Sequence, residues 1–172
     1  VGRPSDAYAP VLEALAPHAE PVSALIDWKV GDQMVYQMMM YGFKMGTMTK
    51  EVKKDTGKTI WVQQDVAMLQ GVKQKVEVEY DKATGAIVTL IQNGKTQTVP
   101  ESSIEIVSQK AETITVPAGK FDTVHTVAKM NGKRKVEVWT NMDATTMDGS
   151  VQQMMSATVG MLKLQLVSFK KN

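Results

Sequence analysis

Alternation of apolar and polar side chains is cleanest in VKQKVEVEY, residues 72–80. One side of an extended chain would carry Val72, Val76, Val78 and Tyr80, and the other would carry Lys73, Lys75, Glu77 and Glu79. A strand with this pattern buries one face and exposes the other to water. Because the pattern recurs at 133–140 and 160–169, we predict an antiparallel sheet with one apolar face.

Turn sequences divide the chain around these segments into short pieces. Asn93-Gly94 and Asn131-Gly132 predict two-residue hairpin turns, because both central residues of a type I′ turn need a positive φ. Further turns are predicted at residues 55–57, 81–85, 117–119 and 148–149. The candidate strands between them are 33–41, 45–54, 58–69, 72–80, 86–92, 95–99, 104–108, 111–116, 121–130, 133–140, 151–156 and 160–169.

A sheet of about a dozen strands with one apolar face does not stay flat and open. We therefore predict a mainly β fold, with a single curved antiparallel sheet that forms a half-barrel or open barrel. Four of the six prolines lie in residues 1–23, so we divide the chain into an N-terminal arm, 1–27, and one β domain, 28–172. A short helix is predicted in the arm around Tyr8 to Leu15, and the arm suits peripheral attachment to a membrane.

Composition excludes several classes of protein. The net charge of +2 and the pI of 8.7 are far from those of a nucleic-acid-binding protein. The absence of Cys excludes disulfides, thiolate metal sites and cysteine nucleophiles. No apolar stretch is long enough for a helical membrane span. An outer-membrane barrel is excluded because the predicted outer faces are charged and aromatic residues are few.

No arrangement of residues specifies a reaction. The two histidines are His18 and His125, and His125 lies three positions from Asp122 on a predicted strand. These two side chains would point to opposite faces, so they would not form a catalytic dyad. The Gly-Lys pairs lack the spacing of a phosphate-binding loop. We expect no enzymatic activity, no cofactor and no metal ion.

Methionine is the most unusual feature, with 13 residues in the chain. Strand 33–41 would place Met34, Tyr36, Met38 and Met40 on one face. Three interpretations stay open: a core filled by flexible thioethers, a cavity that adapts to a long apolar ligand, and a Cu(I) site. Strand tryptophans fill cores or line pocket mouths. The candidate ligand-binding residues are Met34, Tyr36, Met38, Met40, Trp61 and Trp139.

A series of short motifs resembles a known group of proteins. ITVPAGKFDTV at 114–124 is followed by VEVWT at 136–140 and DGSV at 148–151, and VGDQMVY opens the domain at 30–36. This order is similar to that of uncharacterised Gram-negative envelope proteins, which look related to the LolA/LolB-like lipoprotein-carrier fold. The resemblance implies a curved sheet around an apolar cavity and a periplasmic or outer-membrane-anchored location. It assigns no functional residue.

Two functional hypotheses follow. The first is a non-enzymatic envelope protein that binds a lipid or a lipoprotein acyl chain in the concave face of its sheet. The second is a structural or protein-interaction module of the envelope, with a closed core and no small ligand. The sequence leaves both open, because the volume of a cavity depends on how tightly the Met and Val side chains close.

Overall fold

A computed structural model describes Leu12, Leu15, Pro17 and residues 25–99, 103–157 and 160–172. The strands are β1 (Gln33–Met40), β2 (Phe43–Asp55), β3 (Thr59–Met68), β4 (Lys73–Asp81), β5 (Ile87–Gln92), β6 (Lys95–Gln97), β7 (Ile104–Val116), β8 (Gly119–Met130), β9 (Arg134–Thr140), β10 (Ser150–Ala157) and β11 (Gly160–Lys170). Residues 25–99, 103–157 and 160–172 contain one helical element, the 3₁₀ turn Leu69–Gly71.

The predicted arm helix falls almost entirely outside the described residues. Of the positions around Tyr8 to Leu15, only Leu12 and Leu15 are described. The described part of the chain therefore does not support a helical arm. It does show that Leu15 is buried and that Leu12 packs against the core.

All eleven strands belong to one antiparallel sheet, in the order β6-β5-β4-β3-β2-β1-β11-β10-β9-β8-β7. The order contains two meanders, β1 to β6 and β7 to β11. They join at the centre of the sheet, where β1 pairs with β11. The sheet is not closed, because β6 and β7 are its two edges. The prediction of a mainly β fold with a single antiparallel sheet is confirmed.

The half of the sheet from β7 to β11 curves strongly. The backbone N–H of Ala118, in the β7–β8 turn, donates to the carbonyl of Leu166 at 3.0 Å. Two strands, β9 and β10, separate β8 from β11 in the sheet order, so this contact requires the sheet to bend. Val116 is buried in the same core as Leu166.

The Asn-Gly turns have the predicted conformation. Asn93 and Gly94 have φ values of 50° and 82°, and the turn at 131–132 is similar. One further turn of this kind was not predicted: Tyr41 and Gly42 have φ values of 51° and 79°. Strand β1 therefore ends at Met40, one residue before the predicted end, and β2 begins at Phe43.

The candidate strands 104–108 and 111–116 are one strand, β7, which corrects that part of the prediction. Ile106 pairs with Ala128, but Ser108 pairs with Val127, so Val107 is an extra residue in the ladder. A bulge of this kind changes which face the following side chains occupy. The alternation therefore breaks although the strand continues.

Candidate functional site

The methionine row of β1, defined as Met34, Tyr36, Met38 and Met40, lies at the centre of the sheet and faces the core. Tyr36, Met38 and Met40 are paired with Leu166, Leu164 and Leu162 of β11. Met34, Tyr36 and Met38 have no exposed surface, and Met40 is 5% exposed. The structure thus brings four of the six candidate residues together on the apolar face, where their side chains are closed to solvent.

Gly46 allows this face to close beside β2. It is paired with Met38 on one side and Met68 on the other. A Cβ atom at Gly46 would stand 2.4 Å from the carbonyl oxygen of Ala67 and 2.9 Å from Cε of Met38. The methionine end group therefore occupies the space that a larger residue at position 46 would fill.

Residues that precede β1 cover the apolar face. Leu15 and Ile26 are buried in the core. The carbonyl of Leu15 accepts a hydrogen bond from Nε2 of Gln64, a buried amide on β3, at 3.0 Å. Trp28 packs edge-on against Tyr80, with ring centroids 6.1 Å apart. The cover thus combines apolar packing with a hydrogen bond that satisfies a buried polar group.

Polar contacts close one end of the same face. The hydroxyl of Tyr36 donates to the carbonyl of Ser150 at 2.7 Å. Lys50 lies two positions from the buried Met48 and from the buried Val52, so its aliphatic chain shares their apolar face. Its ammonium group lies 3.1 Å from Oδ2 of Asp148, in the loop before β10. Polar groups at this end are therefore paired within the protein.

A buried carboxylate fixes the entry to β1. Asp32 accepts hydrogen bonds from the backbone N–H groups of Lys29 at 3.0 Å and Asn172 at 2.7 Å. Burial alone would raise the pKa of Asp32, but these two hydrogen bonds, one from the Thr146 side chain and the nearby charge of Lys171 outweigh it. The pKa therefore lies below its usual value.

Both candidate tryptophans lie on the other face of the sheet. Trp61 stands between the buried residues Ile60 and Val62 on β3, so its side chain points away from them. Trp139 is paired with Gln152, which is paired in turn with Gln165 on β11. Gln165 lies between two buried leucines of β11, so this row of side chains points away from the apolar face. The structure therefore does not bring Trp61 or Trp139 to the methionine row.

Trp139 belongs instead to a compact cluster with His125. The two rings stack with centroids 4.1 Å apart and planes 9° from parallel. Nε1 of Trp139 donates to Oε2 of Glu112 on β7. Nε2 of His125 lies 3.0 Å from Oε1 of Glu137, and Nδ1 lies 3.1 Å from Glu112 Oε2 without the alignment of a hydrogen bond. His125 is buried, so this arrangement fixes its ring between two carboxylates.

The sequence interpretation missed the partners of this cluster, although one signal was available. Glu137 and Trp139 alternate with Val136 and Val138, which places the first two on a common face. The contribution of Glu112 depends on the register of β7 against β8, in which Glu112 is paired with Thr123 across the turn at 117–119. Asp122 and His125 lie on opposite faces of β8, as predicted: Asp122 is exposed and accepts a hydrogen bond from Thr113 at 2.7 Å, whereas His125 is buried.

Within residues 25–99, 103–157 and 160–172, together with Leu12, Leu15 and Pro17, no three His, Asp or Glu side chains form a group that could hold a metal ion. In the same part of the chain, no helix has the length and apolar character to cross a membrane.

No protein-family model matches the sequence, and no curated protein does. Solved structures share its fold. A hypothetical protein, CT021 from Chlamydia trachomatis, has a TM-score of 0.57 at 5% identity, over 84% of this chain and 89% of that one. A protein from Bacteroides fragilis inferred to be exported, with a YmcC-like fold, has a TM-score of 0.52 at 10% identity, over 87% and 100%. An inferred lipoprotein from Parabacteroides distasonis has a TM-score of 0.48 at 11% identity, over 87% and 100%.

The identities are low, so the similarity to the first two structures establishes a shared fold alone. None of the three is described as a LolA or LolB protein. The LolA/LolB-like part of the resemblance therefore stays a prediction.

Proposed function

We propose that this chain is a non-enzymatic interaction module of the cell envelope that acts through its surface and holds no small ligand in its core. One observation carries the proposal: Met34, Tyr36, Met38 and Met40 are at most 5% exposed. A preformed ligand site is concave and open to its ligand. Here the corresponding four side chains are closed to solvent.

The fold supports the envelope location. The Bacteroides fragilis protein that shares the fold is inferred to be exported. The motifs at 114–124 and 136–140 resemble those of Gram-negative envelope proteins. Attachment to the membrane through the arm at 1–27 remains a prediction.

The surroundings of His125 support a role without catalysis. A general base must reach the proton that it removes. His125 is stacked on Trp139 and flanked by Glu112 and Glu137, so its ring is held within the protein. The arrangement stabilises the β7–β9 part of the sheet.

A second candidate is the binding of an apolar chain, such as the acyl chain of a lipid or lipoprotein. The observation that favours it is the methionine content of the closed face. Met38, Met48 and Met155 are flexible thioethers that can repack around an inserted chain. Two hydrogen bonds join the described cover to the sheet, one from the Gln64 side chain to the carbonyl of Leu15 and one from the backbone N–H of Ile26 to the carbonyl of Lys82.

The two candidates differ in a direct measurement. The protein would be purified from a Gram-negative envelope, extracted with organic solvent and examined by mass spectrometry, and the extracted protein would be refolded and titrated with a fluorescent fatty acid. We expect no stoichiometric lipid and no saturable binding of the probe. A saturable one-to-one complex, weakened by Gln64→Ala and unchanged by Gln63→Ala on the other face, would instead establish the second candidate.

A further inference from the structure

Strand β7 leaves an apolar edge of the sheet open. Residues 104–111 are all exposed, and they include Ile104, Ile106 and Val107, with Val124 exposed beside them on β8. The outer N–H and C=O groups of an edge strand can pair with another strand. The far end of β7 is different, because Val116 is buried near β11.

The opposite edge lacks these properties. Strand β6 has three residues, Lys95–Gln97, and all three are polar. Short polar edges are poor templates for further pairing. Of the two edges of the described sheet, β7 is therefore the one suited to accept another strand.

The open edge carries complementary charges. Glu105 is paired with Lys129 and Lys110 with His125 along the same strand, β8. Positions 125 and 129 share a face of β8, so the bulge at Val107 places Glu105 and Lys110 on one face of β7. Neither Glu105 nor Lys110 forms an ion pair with another described residue.

We infer that the occupant of this edge is a second copy of the chain, which pairs antiparallel with residues 104–111 about a two-fold axis. In this register Glu105 of each copy lies opposite Lys110 of the other, and Val107 lies opposite Ser108. Two equivalent ion pairs form, and cross-strand pairs of opposite charge stabilise a sheet.

The same register aligns apolar side chains. Ile104 lies opposite Ala111 of the second copy, and Ala111 is itself paired with Val124. Ile104 of each copy thus lies in line with Ala111 and Val124 of the other copy, and all three side chains are exposed. Because the other edge of the described sheet in each copy is the short β6 strand, the assembly closes at two copies. This inference does not depend on the proposed function.

Sedimentation equilibrium of the intact chain tests the dimer. We expect a reversible monomer–dimer equilibrium in the unmodified protein. Glu105→Lys places like charges opposite each other twice and should raise the dimer dissociation constant about tenfold or more. Lys110→Glu should have the same effect, and the double exchange Glu105→Lys with Lys110→Glu should restore the original constant.

Lys95→Glu, on the β6 edge, is the matched control and should leave the dimer unchanged. Circular dichroism of each variant establishes that the monomer is folded, and the double exchange separates a lost contact from a lost fold. A protein that stays monomeric at every concentration would overturn the inference. This holds even if the monomer binds an extended peptide of another protein at the β7 edge. A dimer that tolerates both single charge reversals would overturn it as well.

Discussion

The ammonium group of Lys50 and the carboxylate of Asp148 form an ion pair of 3.1 Å on the otherwise apolar face of the sheet. Their side chains are 13% and 16% exposed. The charge of Lys50 stands between Met48 and Val52, which are buried. A charge in such a position requires a partner, because burial without one is costly.

Asp148→Asn should therefore destabilise the protein by about 1 to 3 kcal/mol, since it removes the negative charge that lies beside the ammonium group of Lys50. Chemical denaturation measures the change. Glu77→Gln is the control, because it breaks the exposed pair of Lys75 and Glu77 and should cost about 1 kcal/mol or less. Equal losses for both variants would contradict the role given to Asp148.

Met38→Ala tests the closed core. The residue has no exposed surface, so its truncation should cost about 2 to 5 kcal/mol through lost contacts and the cavity left behind. Met39→Ala is a control on the next residue of β1, which faces the other way and is half-buried. Thermal denaturation should show a much smaller shift for Met39→Ala. A mild loss for Met38→Ala would instead indicate that part of the space beside it is already empty.

The stability contributed by Asp32 should depend on pH in one direction. Because its pKa is lowered in the folded state, the contribution is complete above the usual carboxyl pKa of about 3.9 and is lost as pH falls through the lowered folded value. The difference in unfolding free energy between the parent and Asp32→Asn, about 1 to 3 kcal/mol at neutral pH, should shrink in acid. Urea titrations at several pH values measure it. A difference that grows below pH 4 would contradict this assignment.

Replacement of His125 should separate stacking from polar contacts. His125→Ala removes both and should cost about 1 to 3 kcal/mol. His125→Phe keeps an aromatic ring against Trp139, which is worth about 0.5 to 1.5 kcal/mol, and should be less damaging. Urea denaturation of both variants, with Lys120→Ala on the exposed side of β8 as the control, gives the comparison. If the Phe variant were no more stable than the Ala variant, stacking on Trp139 would not contribute to the stability of the protein.

Local signals predicted most of the sheet. Asn93-Gly94 predicted its turn correctly, because both central residues of such a turn need a positive φ and Asn and Gly are among the few residues that adopt one readily. Alternation in 72–80 specified the buried face of β4. The pattern failed at Val107, where an extra residue shifted the period within a continuous strand. The turn at Tyr41 and Gly42 was also missed, because Tyr41 is an aromatic residue in a left-handed conformation that such residues rarely adopt.

The candidate site was predictable only in part. The common face of Met34, Met38 and Met40 followed from the period of a strand. Trp61 was grouped with them by its apolar character, although its position between Ile60 and Val62 placed it on the other face. The cover was beyond a local pattern, because the contact of Gln64 with Leu15 joins residues that are far apart in the chain.

The pairing of β1 with β11 has a consequence for the order of folding. Every other pairing in the sheet joins successive strands, so each meander can assemble from neighbouring hairpins. The junction instead joins residues as distant as Tyr36 and Leu166. Closing so long a loop is slow, and until β11 arrives the methionine-rich strand β1 offers an unpaired edge that is prone to aggregation. We therefore expect the docking of the two halves at this seam to limit the folding rate and to be the step at which a newly made chain most needs a chaperone.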